Sequence, residues 1–243
     1  MNALLPGRRV EWFESIDSTM TVAAKLAREG CAHGTIVGAD EQTAGIGRQG
    51  RSWHSEKGSG LYVSIVLRLP VEARALPVAM LALGLATQEA IAQTTSLSPD
   101  LRWPNDVLID GRKCAGILAQ IEGEATIAGI GINVSQTAFP PGLATPATSL
   151  LLAGARVSRE DLLIALADAI DRCCHVLIDD GAAAILRMFE ASSTYARGRR
   201  VRVEQDGREG TTRGLDDSGF LIVEQGGGRL TKIFTGGVRA MTE

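Results

Sequence analysis

The chain has 243 residues, 45% of them hydrophobic, with a formal charge of −3 and a mean hydropathy of +0.09. It has apolar content enough for its own core and is neither a polyelectrolyte nor a membrane resident, which argues against non-specific nucleic-acid binding. The first twenty residues lack the apolar run of a signal peptide, so a cytoplasmic protein is expected.

The elements follow in order. A strand at Val10–Glu14 precedes a helix capped by Asp17 or Ser18 and closed by Gly30. A strand over Thr35–Ala39 leads into a glycine-rich loop. Leu61–Leu69 then alternates, with Leu61, Val63, Ile65, Leu67 and Leu69 on one face, and reads as a half-buried strand. Pro77–Gln93 is a dense Ala/Leu helix, although Gly84 weakens it. The Trp103–Asp106 stretch ends a strand, because proline cannot donate to a ladder. Asp110-Gly111 marks a two-residue turn between strands at Val107–Ile109 and Lys113–Ile121, and Thr126–Val134 completes the sheet. Ser158 with Asp161 resembles a capping box, and apolar residues from Leu162 to Leu177 follow at helical spacing. From Arg199 onward, short strands broken by Asp-Gly and Gly-Gly pairs indicate a small all-β module, with a boundary near Tyr195–Gly198. Cys31, Cys114, Cys173 and Cys174 form no C-x-x-C pair and read as reduced, buried thiols. His33, His54 and His175 have no partner one helical turn away, so no structural zinc site is expected.

Gly45-Ile-Gly47-Arg-Gln-Gly50 spells G-x-G-x-x-G, yet a dinucleotide-binding turn needs a helix directly after it, and here a strand pattern follows. The loop instead offers backbone N–H groups free of side-chain obstruction, with Arg48 and Arg51 adding fixed positive charge, which suits a phosphate. Taken alone, it also fits a solvated basic turn. Beyond the hairpin turn, Lys113 begins a strand in which Gly116 allows close approach of a ligand or a second backbone.

The ordered set Ser18-Thr19, Gln42 to Gly45, Gly47 to Trp53, Trp103 to Asp106, Lys113 to Gly116 and Gly129-x-Gly131-x-Asn133 resembles the biotin protein ligases. Met20 departs from the asparagine often found in that family, and Ile46 from an arginine. The resemblance implies an α+β catalytic domain over 1–196, a mixed β-sheet backed by helices, followed by a small SH3-like β-barrel over 197–243. It further implies that ATP activates biotin to biotinyl-5′-AMP, with Mg²⁺ present, and that biotin passes to a lysine of a biotin carboxyl carrier protein domain of a biotin-dependent carboxylase. By the same resemblance Lys113, Arg48 and Arg51 are catalytic. Ser18, Thr19, Met20, Gln42, Gly45, Ile46, Gly47, Arg48, Lys113 and Gly116 bind biotin. Arg48, Arg51, Trp53, Asn105, Asp106, Lys113 and Asn133 bind the nucleotide, and Asp106 holds Mg²⁺. The Ser18-Thr19 element begins too early for an N-terminal helix-turn-helix, so no specific DNA binding is expected, and a weak homodimer is compatible with the family. Rival readings are a lipoate ligase and a non-catalytic biotin or nucleotide sensor. The glycine loop and the C-terminal module favour biotin over lipoate, and Arg48, Arg51 and Lys113 favour catalysis.

Overall fold

In the computed structural model, which describes residues 4–70 and 75–241, strand β1 (Val10–Phe13) runs parallel to β2 (Thr35–Ala39). Helix α1 (Thr19–Arg28) crosses between them. β3 (Gly60–Leu67) pairs antiparallel with β2 and, on its other side, with β7 (Ala125–Asn133). The chain then passes through α2 (Leu76–Thr94) and β4 (Asp100–Arg102) to a hairpin of β5 (Asp106–Ile109) and β6 (Arg112–Glu122). Asp110 (φ 49°) and Gly111 (φ 74°) are both left-handed at its tip, as a two-residue hairpin turn requires. The seven-stranded sheet has the order β1-β2-β3-β7-β6-β5-β4.

β3 is buried along its whole length, not half-buried as its alternation suggested. Each sheet face has its own helical cover. Leu61, Val63, Ile65 and Leu67 enter the large core with α2 and with α3 (Arg159–Asp179), while Val66 joins Val37, Ile127 and the apolar stripe of α1. The polar Ser64 of the strand is paired within that second layer, with Thr19 at 2.8 Å. The expected strand end at Leu69 also shortens to Leu67.

Helix α2 is apolar on all sides because the protein surrounds it. It is long and apolar enough to span a bilayer by length and composition, but eleven of its residues are buried in this fold. A Cβ on Gly84 would meet Leu101 at 3.8 Å and Phe189 at 3.9 Å, ordinary packing distances. Gly84→Ala is therefore expected to raise stability by about 1 kcal/mol, read as a rise of roughly 2–4 °C in thermal unfolding. Ser158 caps α3, its Oγ accepting from Asp161 N at 3.0 Å. The sequence reading passed over α4 (Ala182–Ser192), whose buried face comprises only Ala184, Ile185 and Phe189.

Five further strands form an antiparallel sheet of order β11-β10-β9-β8-β12. They are β8 (Arg197–Val203), β9 (Glu209–Leu215), β10 (Leu221–Glu224), β11 (Leu230–Ile233) and β12 (Val238–Ala240). Trp103 ties this sheet to the first, its indole N–H donating to Gly219 O at 2.9 Å.

All four cysteines are buried free thiols. Burial pushes Cys114 and Cys174 up to about 12 and Cys173 to about 11, so these three carry no thiolate at neutral pH. A disulfide-exchange reagent is expected to find no fast-reacting thiol in the native protein and four after denaturation.

Candidate active site

The site begins with two small residues at the start of α1 and two glycines on a sheet. Asp17 Oδ1 accepts from Ser18 N at 2.6 Å, turning the chain into α1. Gln42 then completes the helix start, its Oε1 accepting from Thr19 N at 2.9 Å and Thr19 Oγ1 at 3.1 Å, while its Nε2 donates to Ser55 at 3.0 Å. Because Gln42 does this, the Ser18 hydroxyl is not spent on the helix. Opposite, Gly116 of β6 pairs directly with Gly131 of β7. Together they make a floor without side chains, and Trp53 packs on it so closely that a Cβ at Gly131 would lie 2.5 Å from the indole.

Between these parts lies an inner cavity of about 50 Å³ lined by Ser18, Thr19, Met20, Gln42, Ile46 and Trp53 among others. Among the described residues, Ser18 Oγ and Trp53 Nε1 are buried without a hydrogen-bond partner, as is Gln136 Oε1 elsewhere. An unsatisfied buried polar atom costs about 1–3 kcal/mol, which a polar ligand group can recover. Met20 is buried with its sulfur against Gly129, so it supplies an apolar wall. Ile46 is half exposed at the mouth and supplies no charge.

An outer cavity of about 170 Å³ adjoins the inner one, and Arg48, Trp53, Asn105 and Lys113 line both. The loop Gly45–Arg51 closes as a tight turn, with Gly47 N donating to Arg51 O at 2.6 Å and Gln49 left-handed at φ 58°. No helix follows, which removes the dinucleotide reading. Arg48 Nη1 reaches Asn105 Oδ1 and Gly236 O, both at 3.0 Å, so one guanidinium ties the loop to both sheets. Burial is the largest influence on Arg48 and draws its pKa below the ordinary arginine value, against the pull of Asp106 and Glu204.

Lys113 Nζ lies 2.5 Å from Asp106 Oδ1 and 5.2 Å from the centre of the Trp53 ring. Asp106 Oδ2 is held by Arg102, whose side chain is only 5% exposed. Burial opposes the Asp106 charge more than any other single influence. Lys113 and Arg102 together outweigh it and hold the carboxyl below the usual range. The arrangement places the Lys113 amine at the junction of the two cavities.

Every residue expected at the site lines one cavity or the other except Gly45. Gly45 supports the loop from behind, its carbonyl accepting from Trp53 N at 2.8 Å, and a Cβ there would strike Trp53 O at 2.6 Å. Asn133 borders the outer cavity but donates to Thr148 O at 3.0 Å and Lys113 O at 3.5 Å, so its amide fixes the backbone beneath Lys113. Asp106, the residue expected to hold Mg²⁺, is paired with cations on both sides in the ligand-free protein. One of its oxygens meets Lys113 and the other Arg102. Sequence reasoning missed Arg102, Thr145, Glu204 and Arg239. Thr145 sits in a loop without periodic pattern, and Glu204 and Arg239 reach the cavity only because the second sheet folds back onto the first.

The sequence profile of the biotin/lipoate A/B protein ligase family matches residues 12–136, and that of the biotin protein ligase C-terminal domain matches residues 197–238. The bifunctional ligase/repressor BirA of Bacillus subtilis is 33% identical over 241 residues, covering 94% of this chain and 73% of that protein. The biotin--[acetyl-CoA-carboxylase] ligase of Mycobacterium tuberculosis is 34% identical over 220 residues, covering 84% and 78%. The biotin protein ligase of Aquifex aeolicus, solved in complex with biotin and ATP, superposes with a TM-score of 0.84 at 29% identity, covering 97% of this chain and 99% of that one. A mixed sheet backed by helices and followed by an antiparallel five-stranded sheet is thus common to both, and the chain belongs to the biotin/lipoate A/B protein ligase family, on its biotin protein ligase branch.

Proposed function

We propose that this protein activates biotin with ATP and transfers it to a lysine of a biotin carboxyl carrier protein domain. The observation that carries the reading is Lys113, whose amine lines both a glycine-floored slot with unspent polar groups and a cation-rich cavity. Biotin would enter the inner cavity, with Trp53 giving way from the Gly116–Gly131 floor. Its neutral ureido ring finds the Ser18 hydroxyl at the buried end, beside Thr19 and Gln42, and Met20 and Val63 supply apolar walls. ATP would lie in the outer cavity against Arg48 and Arg51.

In the first step a biotin carboxylate oxygen attacks the α-phosphorus of ATP, and the bond to the bridging oxygen breaks to release pyrophosphate. Two anions must meet, so the charge on Lys113, positioned by Asp106, offsets their repulsion and stabilises the negative charge developing at the α-phosphate. In the second step the acceptor amine attacks the acyl carbon of biotinyl-5′-AMP, and AMP leaves. Residues 1–196 would form the catalytic domain and 197–243 a C-terminal domain that closes the outer cavity, the whole acting in the cytoplasm.

Incubation with biotin, ATP and a carrier domain tests the transfer. A biotinylated carrier in the wild-type reaction, absent when the acceptor lysine is replaced by arginine, is expected. A carrier that takes lipoate instead would favour the lipoate-ligase reading.

A further inference from the structure

The outer cavity contains an anion that an ATP site has no evident need for. Glu204 follows β8 and is held in place by its backbone N–H, which donates to Gly237 O at 2.9 Å. Its carboxylate is 16% exposed and lines the cavity beside Arg51 and Arg239. One oxygen meets Arg239 Nη2 at 2.5 Å and the other lies 3.6 Å from Arg51 Nη2. Arg239 also donates to Thr145 Oγ1, which accepts from Arg102 at 2.8 Å, and Arg102 in turn holds Asp106. A chain of polar contacts therefore runs from Lys113 through Asp106 to Arg102, across the Thr145 hydroxyl to Arg239, and through Glu204 to Arg51 in the glycine loop.

The two carboxylates in this chain are not equivalent. Asp106 sits between a buried arginine and Lys113, whereas both partners of Glu204 face the cavity, and Arg51 is 54% exposed. A polyphosphate entering here would be repelled by Glu204 and attracted by the two arginines that Glu204 occupies.

We propose that Glu204 is a resident stand-in for the nucleotide's phosphates. It holds Arg51 and Arg239 in place in the ligand-free protein and gives them up to the triphosphate, so that it lowers affinity for ATP and speeds release of pyrophosphate. Arg239 then acts as a triphosphate-positioning residue supplied by the C-terminal sheet. This inference rests on the reading of the outer cavity as the ATP site.

A structural ion pair and a competing anion make opposite demands on the two partners. If the pair only docks the sheets, removing either member weakens the same contact, and both variants move the same way. If Glu204 competes with phosphate, Glu204→Gln is expected to lower the KM for ATP several-fold and to tighten inhibition by pyrophosphate. Arg239→Gln is expected to raise the KM for ATP about tenfold, with Arg239→Lys, which keeps the charge, staying within about twofold of wild type. The Kd for biotin, measured by calorimetry, should be unchanged in all three. A Glu204→Gln variant whose KM for ATP is unchanged or rises would overturn the proposal. So would an Arg239→Lys variant as impaired as Arg239→Gln, a comparison that stands even if Glu204→Gln fails to fold. Wild-type protein with no biotin-dependent exchange of pyrophosphate into ATP would instead defeat the reading of the site itself.

Discussion

Lys113→Ala is expected to reduce biotin-dependent exchange of pyrophosphate into ATP by about a thousandfold, the scale on which removal of a preorganised charge-stabilising group acts. The fold should survive the change. Lys113 lies at the start of β6 with a side chain 23% exposed, and its backbone bonds to Pro146 O and Thr148 N do not depend on the amine. Asp106 keeps Arg102 as a partner, so no carboxylate is left buried alone. The melting temperature is therefore expected to fall by no more than a few degrees. An exchange rate near that of wild type would remove Lys113 from the chemistry.

Asp106→Ala is expected to combine a large loss of stability with loss of activity. It leaves Arg102, 5% exposed, and Lys113 without their shared anion, and breaking a buried pair by removing one partner costs about 3–5 kcal/mol. For a chain of this size that corresponds to a fall in melting temperature on the order of 10 °C. The double variant Arg102→Met/Asp106→Ala should recover part of the loss, because no uncompensated guanidinium remains. The pH dependence follows from the direction of the Asp106 shift. Burial opposes the charge, but Lys113 and Arg102 outweigh it and hold the folded-state pKa below the unfolded value, so the pair's contribution is complete above the ordinary carboxylate range. It is lost as pH falls through the lowered value. Wild type and Asp106→Ala should thus differ by a constant amount from neutral pH down to that range and converge only below it, as followed by denaturant unfolding.

The residues that carry this account differ in how openly the sequence displays them. The Asp110-Gly111 turn, the Ser158 cap and the glycines at 116, 129 and 131 are local features, where a turn type, a cap or the absence of a side chain leaves its mark within a few positions. The double burial of β3 is different, because alternation reports only that one face is apolar. It cannot say that α1 covers the other, where Val66 packs and Ser64 bonds to Thr19. The pairing of Asp106 with Lys113 was similarly hidden. Both residues are expected at the nucleotide, but their direct contact is not part of that expectation, and the β5–β6 hairpin brings the amine back onto the carboxylate. Glu204 and Arg239 left no sequence signal at all, since each looks like an ordinary charged residue of a small β-sheet until Arg48 is seen bridging to Gly236 O.

Mass spectrometry of the enzyme after incubation with biotin and ATP tests the central claim most directly. The account predicts biotinyl-5′-AMP only when both substrates are present, from the wild-type protein and not from Lys113→Ala. Wild-type protein that binds both compounds and forms no adenylate, or that forms it with lipoate in preference to biotin, would contradict it.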